Sequence, residues 1–242
     1  MAGLRTLALA GWLALHVVDA VTAPATLRLC VSDQPFGPYT HPDGSGLFQQ
    51  RVLAAAKWLD VAIAQYAAPR ARCLQDSRQG RADALIGVFS PERLAWLTYP
   101  MHDGRPQAEQ SVGRIQVVVF RRVGTRVEWD GQKLVGLGDQ PLGLRLGFAY
   151  GDRLEGLGVK LDDHAMSNEQ LIAKLVKGRV GAILLTDEAL PQTARLPPGQ
   201  IEALPRLYDT LTLYLIVTRD FEQRHTELVQ KLWANLAAAG TH

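Results

Sequence analysis

The sequence has little net charge and no cluster of basic residues. Its 242 residues include 26 Lys and Arg against 24 Asp and Glu, which gives a formal charge of +2. Proteins that bind nucleic acids present grouped Lys and Arg residues that follow the phosphates. The scattered charges argue against that class, and no nucleic-acid partner is expected.

Signatures of the common catalytic sites are also absent. The sequence contains no Gly-x-Ser-x-Gly elbow, no Gly-x-Gly-x-x-Gly turn and no His-Glu-x-x-His helix. Asp162, Asp163 and His164 are neighbours, but three adjacent loop residues rarely share one metal ion. We therefore expect no metal ion and no cofactor, and a protein that is not an enzyme.

Long apolar runs are missing except near the N-terminus. Arg5 precedes an apolar run at residues 7–18, and small residues follow in Val18-Asp19-Ala20 and Ala23-Pro24-Ala25. This order is typical of a signal peptide, and the run is shorter than the roughly 20 residues that span a bilayer. We predict a cleaved signal peptide at residues 1–25 and export of the rest, with an uncleaved membrane anchor as the alternative.

Cysteine is scarce, with Cys30 in a strand pattern and Cys73 in a helix pattern. An oxidising compartment outside the cytoplasm would permit a disulfide bond between them. The alternative is that both are small buried apolar residues. The sequence leaves the two interpretations open.

Strand and helix patterns alternate after residue 26, which predicts an α/β fold with parallel sheets covered by helices. Two such series are separated by long strand patterns. Strands are predicted at residues 27–32, 61–66, 82–88, 114–121, 144–149, 180–185 and 211–218. Helices are predicted at residues 47–59, 69–79, 169–177 and 221–239, with a short helix near 150–156.

The two series predict two lobes, the second inserted into the first. Residues 26–113 and 212–242 would form the first lobe, and residues 114–211 the second. Because the chain crosses between the lobes twice, we expect a hinge and a ligand site in the cleft between them.

The segment at residues 79–93 indicates where that site lies. Gly80 is suited to ending a helix with a positive φ, and an apolar strand pattern follows. Ser90-Pro91-Glu92 then provides an N-cap, a first-position proline and an acid in the first turn of a new helix. Arg93 therefore follows the carboxyl end of a strand, where open α/β sheets bind ligands. Its guanidinium can hold a carboxylate by two parallel hydrogen bonds.

These segments together make the chain resemble the bacterial periplasmic solute-binding proteins of family 3, the receptors that deliver polar amino acids and related solutes to ABC importers. The residues that carry the resemblance are Pro35-Phe36, Gly80-Arg81-Ala82-Asp83-Ala84, Ser90-Pro91-Glu92-Arg93, and Gly178-Arg179-Val180-Gly181-Ala182 before Asp187. The resemblance implies a type II periplasmic-binding-protein fold, a periplasmic location and a monomer. It implies a small polar solute as ligand and a membrane permease as partner. A membrane sensor is the alternative partner, and a dehydratase-like enzyme the second alternative function.

The resemblance also implies roles for individual residues. Arg93, with Ser90 at the start of its turn, would hold a ligand carboxylate, and Asp187 would accept a ligand ammonium group. Phe36 or Tyr39 would form an apolar or stacking wall. The loop Tyr150-Gly151-Asp152 would direct backbone N–H groups into the cleft, which makes Tyr150 and Asp152 candidate ligand residues.

The chain departs from the family at several of these positions. Asp152 stands where a Thr or Ser is usual, Val88 where a hydroxyl residue is frequent, and Gly181 where an Asp is frequent. Gln49 and Gln50 replace common acidic residues. These departures indicate a divergent member and weaken the assignment of an α-amino acid as ligand.

Structural roles are the alternatives for the charged candidates. Arg93 could instead pair with Glu92 or Asp83, and Asp187 could favour a helix N-terminus. Arg70 and Arg72 flank a helix start; we expect them to face solvent, with a place in the cleft wall as the alternative.

Overall fold

The strand patterns form one curled sheet of ten strands, with two small two-stranded sheets beside it. This computed structural model describes residues 24–146 and 153–238. The predicted signal peptide lies almost entirely outside these residues. Within them, no helix has the length and apolar character needed to cross a membrane.

The elements follow the predicted order along the chain. The strands are β1 (Ala25–Ser32), β2 (Val61–Ala68), β3 (Ala84–Val88), β4 (Leu97–Thr98), β5 (Met101–His102), β6 (Arg105–Pro106), β7 (Gly113–Arg122), β8 (Glu128–Trp129), β9 (Leu134–Val135), β10 (Leu142–Arg145), β11 (Leu161–Ala165), β12 (Ala182–Thr186), β13 (Ile201–Ala203) and β14 (Asp209–Thr218). The α-helices are α1 (Leu47–Ala56), α2 (Arg70–Arg78), α3 (Arg153–Gly156), α4 (Asn168–Val176), α5 (Leu190–Thr193), α6 (Arg219–Arg224) and α7 (Thr226–Ala238). Three short 3₁₀ helices occur at Pro91–Ala95, Ala108–Gln110 and Asp187–Ala189.

Two parallel units lie at opposite ends of the sheet, whose order is β11-β10-β12-β7-β14-β3-β1-β2. In the first unit, β1 pairs in parallel with β2 and β3. In the second, β10 pairs in parallel with β11 and β12. The prediction of an α/β fold with parallel sheets is confirmed.

The long strands β7 and β14 join the two units. Residues 113–117 of β7 pair antiparallel with residues 209–213 of β14. Beyond that stretch, β7 pairs with β12 of the second unit, whereas β14 pairs with β3 of the first. Each long strand is therefore bonded along part of its length to one unit and along the rest to the other long strand.

Two predicted helices differ from the structure. Residues 221–239 were expected to form one helix, but α6 ends before His225, whose backbone leaves the helical conformation and whose ring lies 4.6 Å from that of Phe221. The turn after Ser90 is a 3₁₀ helix of five residues rather than an α-helix. The chain therefore bends sharply after β3, which keeps Arg93 close to the end of that strand.

The terminal helix α7 packs against α1 of the first unit. The Asn235 Nδ2 group donates to the Ala55 carbonyl at 2.8 Å, and Arg51 Nη2 donates to the Leu236 carbonyl at 3.3 Å. Trp233 is almost fully buried, and its Nε1 donates to Leu215 of β14 at 2.9 Å. The C-terminal end of the described chain is thus tied to the first unit and to one of the long strands.

Cys30 and Cys73 form a disulfide bond between β1 and α2, which resolves the question left open by the sequence. Both residues are fully buried, in an apolar cluster that also holds Leu85 and Ile216. The bond fixes the start of α2 beside the carboxyl end of β1.

We expect reduction of this bond to lower the free energy of unfolding by about 4 kcal/mol, because it closes a loop across 43 residues in the unfolded chain. Urea unfolding with and without a thiol reductant measures the difference. These are the only two cysteines in the chain. A Cys30→Ala/Cys73→Ala protein should therefore be insensitive to reductant, and a wild-type curve unchanged by reductant would contradict the expectation.

Candidate functional site

A cavity of about 570 Å³ opens at the carboxyl ends of β1, β3 and β10. Its wall combines the first unit, the second unit and both long strands. Charged residues of the wall are Asp33, Arg70, Arg93 and Arg145, and apolar ones include Phe36, Val88, Ile115, Leu146, Leu211 and Leu213. The cavity lies at the edge of the sheet where the strand order predicted a ligand site.

Arg93 reaches this cavity from the 3₁₀ turn after β3, where its backbone N–H donates to the Ser90 carbonyl at 3.1 Å. Its Nη1 atom is buried and has no hydrogen-bond partner among the described residues. Asp83, one of the two alternative partners considered for Arg93, pairs instead with Arg28 at 2.7 Å. Buried guanidinium N–H groups are almost always paired in folded proteins, so an unpaired one in a cavity wall indicates a place for an acceptor from outside the chain.

Arg70 lies beside Arg93, contrary to the expectation that it faces solvent. It starts α2, lines the cavity and donates from Nη1 to the Ile86 carbonyl at 2.9 Å. A Cβ atom at Gly87 would lie 2.5 Å from Arg70 Nη2, so glycine leaves the space that the guanidinium occupies over β3. Burial, and then the charge of Arg93, lower the pKa of Arg70 to about 10.

The expectation for Arg72 agrees with the structure. Its side chain is 55% exposed and pairs with Asp76 at 2.8 Å on the same helix. The two arginines are two positions apart on α2 and therefore point to different sides of the helix, Arg70 toward Gly87 of β3 and Arg72 toward Asp76.

The turn after β1 presents Phe36 and Tyr39 on different sides. Phe36 lines the cavity, whereas Tyr39 does not and stacks on the buried Phe48, with ring centroids 4.8 Å apart. The Tyr39 hydroxyl donates to Asp187 Oδ1 at 2.8 Å. Burial and this bond raise the pKa of Tyr39. Phe36 is therefore the aromatic residue available to a ligand, and Tyr39 connects the first unit to the turn after β12.

Asp187 is engaged by the protein itself. Its Oδ1 accepts the Tyr39 hydroxyl and its Oδ2 accepts the Gln116 backbone N–H of β7 at 3.0 Å. Asp187 is not among the residues that line the cavity. Its role as an acceptor of a ligand ammonium group stays a prediction, and the carboxylate observed here joins the loop after β1 to the second unit and to a long strand.

A second contact reinforces this junction. A Cβ atom at Gly37, whose φ is +49°, would lie 2.2 Å from Glu188 Cβ, so the glycine backbone rests directly on the Glu188 side chain. Glu188 is buried, accepts hydrogen bonds from Asn168 Nδ2 at 3.1 and 3.2 Å, and lies 3.8 Å from Arg145. Burial raises the pKa of Glu188, although its hydrogen bonds oppose the shift. The first and second units are therefore in direct contact on this side of the cavity.

Of the remaining candidates, the structure describes only Ser90. Ser90 is buried, but it is not part of the described cavity wall. Tyr150 and Asp152 lie outside the described residues. Two arginines that were not predicted as site residues, Arg70 and Arg145, also line the cavity. Arg145 could have been predicted from its position at the carboxyl end of β10.

Solved structures share this fold. The periplasmic VFT2 domain of BvgS from Bordetella pertussis matches with a TM-score of 0.61 and 16% identity, over 90% of this chain and 88% of that one. The unliganded, open L-cystine solute receptor of Neisseria gonorrhoeae matches with a TM-score of 0.53 and 17% identity, over 88% and 86%. The second substrate-binding domain of a putative amino acid ABC transporter from Streptococcus pneumoniae matches with a TM-score of 0.53 and 14% identity, over 88% and 92%.

These likenesses establish the class of fold. The chain has the Venus-flytrap fold of the type II periplasmic binding proteins, as the resemblance in the sequence predicted. No protein-family model and no curated protein sequence matches the chain. The identities of 14–17% show the fold alone.

We expect Tyr39→Phe to shift the ligand-free protein toward an open form, because the change removes the hydroxyl that bonds Asp187 across the two units. Loss of a hydrogen bond worth about 1 kcal/mol would change the ratio of open to closed protein about fivefold. Small-angle X-ray scattering would record a larger radius of gyration.

Tyr66→Phe is the matched control for this experiment. The Tyr66 hydroxyl donates to Asp76 at 3.0 Å within the first unit, so its loss should reduce stability without opening the cavity. Equal radii of gyration for the two variants would contradict the role given to Tyr39.

Proposed function

We propose that this protein is a periplasmic solute-binding protein that encloses a small carboxylate-bearing solute, an amino acid or a related acid, between two lobes. The first lobe comprises residues 26–113 and 212–242, and the second comprises residues 114–211. The observation that carries the proposal is the buried, unpaired Arg93 Nη1 in a cavity bounded by both units. A carboxylate satisfies such a group by a charge-assisted hydrogen bond.

The contacts around the cavity support closure as the means of capture. Tyr39 meets Asp187, and Gly37 rests on Glu188, on the side where the two units touch. The long strands β7 and β14 link the units elsewhere, and a pair of connecting strands is a suitable hinge for domain closure. Closure would remove water from Arg93 and strengthen its interaction with a bound anion.

The compartment and the partner follow from the same proposal. The disulfide bond fits an oxidising compartment, and the signal peptide predicted at residues 1–25 would deliver the chain there. We propose that the closed form docks as a monomer on the permease of an ABC importer. A membrane sensor as receptor is the alternative, and the two would be separated by the partner recovered with a cross-linked, ligand-loaded protein.

Arg93→Ala should weaken solute binding by tenfold or more, since a hydrogen bond to a charged group contributes about 1.5–3 kcal/mol. Ligands are first found by thermal shift of ligand-stripped protein against amino acids and organic acids. A solute at 100 times its dissociation constant should add about 2.7 kcal/mol of stability. Calorimetric titration then compares the variants.

The control is Arg195→Ala, because Arg195 is exposed and forms no ion pair among the described residues. It should bind like the wild type. Wild-type affinity in Arg93→Ala would remove Arg93 from the binding site, and a melting temperature unmoved by every carboxylate tested would overturn the proposed function.

A further inference from the structure

We propose that the solute is an organic acid without an ammonium group, whose carboxylate is held between Arg70 and Arg93. This inference rests on the function proposed above and narrows its ligand class. It assigns Arg70 to ligand binding and removes the α-amino acid as the preferred ligand.

The positive charges of the site come from two arginines held by elements of the first unit. Arg70 and Arg93 come from successive elements of the first unit, at the start of α2 and just after β3, and both line the cavity. Burial, and then the charge of Arg93, lower the pKa of Arg70. Two guanidinium groups in the wall of one cavity repel one another, and a carboxylate between them would relieve that repulsion.

The Arg70 side chain is held in place against β3. Its Nη1 is committed to the Ile86 carbonyl, and Gly87 leaves room for the guanidinium on the surface of β3. Among the described residues, no carboxylate lies within ion-pair distance of Arg70 or of Arg93. A partly buried pair of arginines without an acid of its own is suited to an external anion.

Few carboxylates among the described residues are available to accept a ligand ammonium group. Both oxygens of Asp187 accept hydrogen bonds from the protein, and Asp187 does not line the cavity. Glu188 is buried against Asn168 and lies near Arg145. Among the described residues of the cavity wall, Asp33 is the one carboxylate, and the same wall holds Arg70 and Arg93.

A ligand ammonium group would therefore enter a cavity of predominantly positive charge. Repulsion between like charges is strong where water is partly excluded. An acid that lacks the ammonium group keeps the attraction to Arg70 and Arg93 and avoids this cost. The same geometry accounts for an arginine at position 93 in a site whose other polar residues differ from those of amino-acid receptors.

The test compares acids that differ at the amino-bearing carbon, by calorimetric titration of ligand-stripped protein. The pairs are succinate with aspartate, glutarate with glutamate, and 2-oxoglutarate with glutamate. We expect the amine-free member of at least one pair to bind tenfold or more tightly than its amino acid. Equal or tighter binding of the amino acid in every pair that binds would overturn this inference and leave the proposed function intact. Binding of no acid at all would overturn both.

Three variants then locate the carboxylate. Arg70→Gln should weaken binding of the preferred acid about tenfold or more, as expected for loss of a charged hydrogen bond, and Arg70→Lys should recover part of the loss. Arg72→Gln, at an exposed position on the same helix, should bind like the wild type. Unchanged affinity in a folded Arg70→Gln protein would contradict the assignment.

Asp33→Asn distinguishes the two ligand classes directly. If Asp33 received a ligand ammonium group, this change would abolish binding. We expect the variant instead to bind the acid as well as the wild type or more tightly, because it removes negative charge from the cavity wall. Loss of binding in a folded Asp33→Asn protein would overturn the inference.

Discussion

The antiparallel pairing of β7 with β14 is the constraint on which the rest of the structure depends. The two strands pair along residues 113–117 and 209–213, and each then continues into a different unit. Because backbone hydrogen bonds hold the crossing, the parallel strands of both units converge on one cavity. Two residues that line this cavity, Arg93 from one unit and Arg145 from the other, are separated by 52 positions in the sequence.

The short turn after β1 determines how closely the units approach. Gly37 must lack a side chain for its backbone to rest on Glu188, and Tyr39 needs its hydroxyl to reach Asp187. Stacking of Tyr39 on Phe48 anchors the turn to α1 of the first unit. A hydrogen bond and a backbone contact of this size are worth only a few kcal/mol at most, so a ligand with modest differential affinity can shift the balance between open and closed forms.

The fold could be predicted from the sequence more completely than the site. The alternating apolar patterns and the positive φ of Gly80 agree with the structure, because they depend on local backbone geometry. The place of Arg93 in the cavity wall could be predicted, because ligand sites in open α/β sheets lie at the carboxyl ends of strands. The surroundings of Arg70 depend on Gly87 across two elements, and the engagement of Asp187 depends on a tyrosine 148 positions away, so no local pattern reports them.

Arg70 and Arg93 do not have the ion pairs expected of buried arginines that serve only to stabilise the fold. Burying a guanidinium costs free energy unless hydrogen bonds and an opposite charge compensate it. Arg28 has that compensation from Asp83, and Arg72 and Arg81 have it from Asp76. Among the described residues, Arg70 and Arg93 have no carboxylate within ion-pair distance, and Arg93 has a buried N–H group without an acceptor. Both residues line the cavity, and under the function proposed above an incoming carboxylate would supply the missing opposite charge.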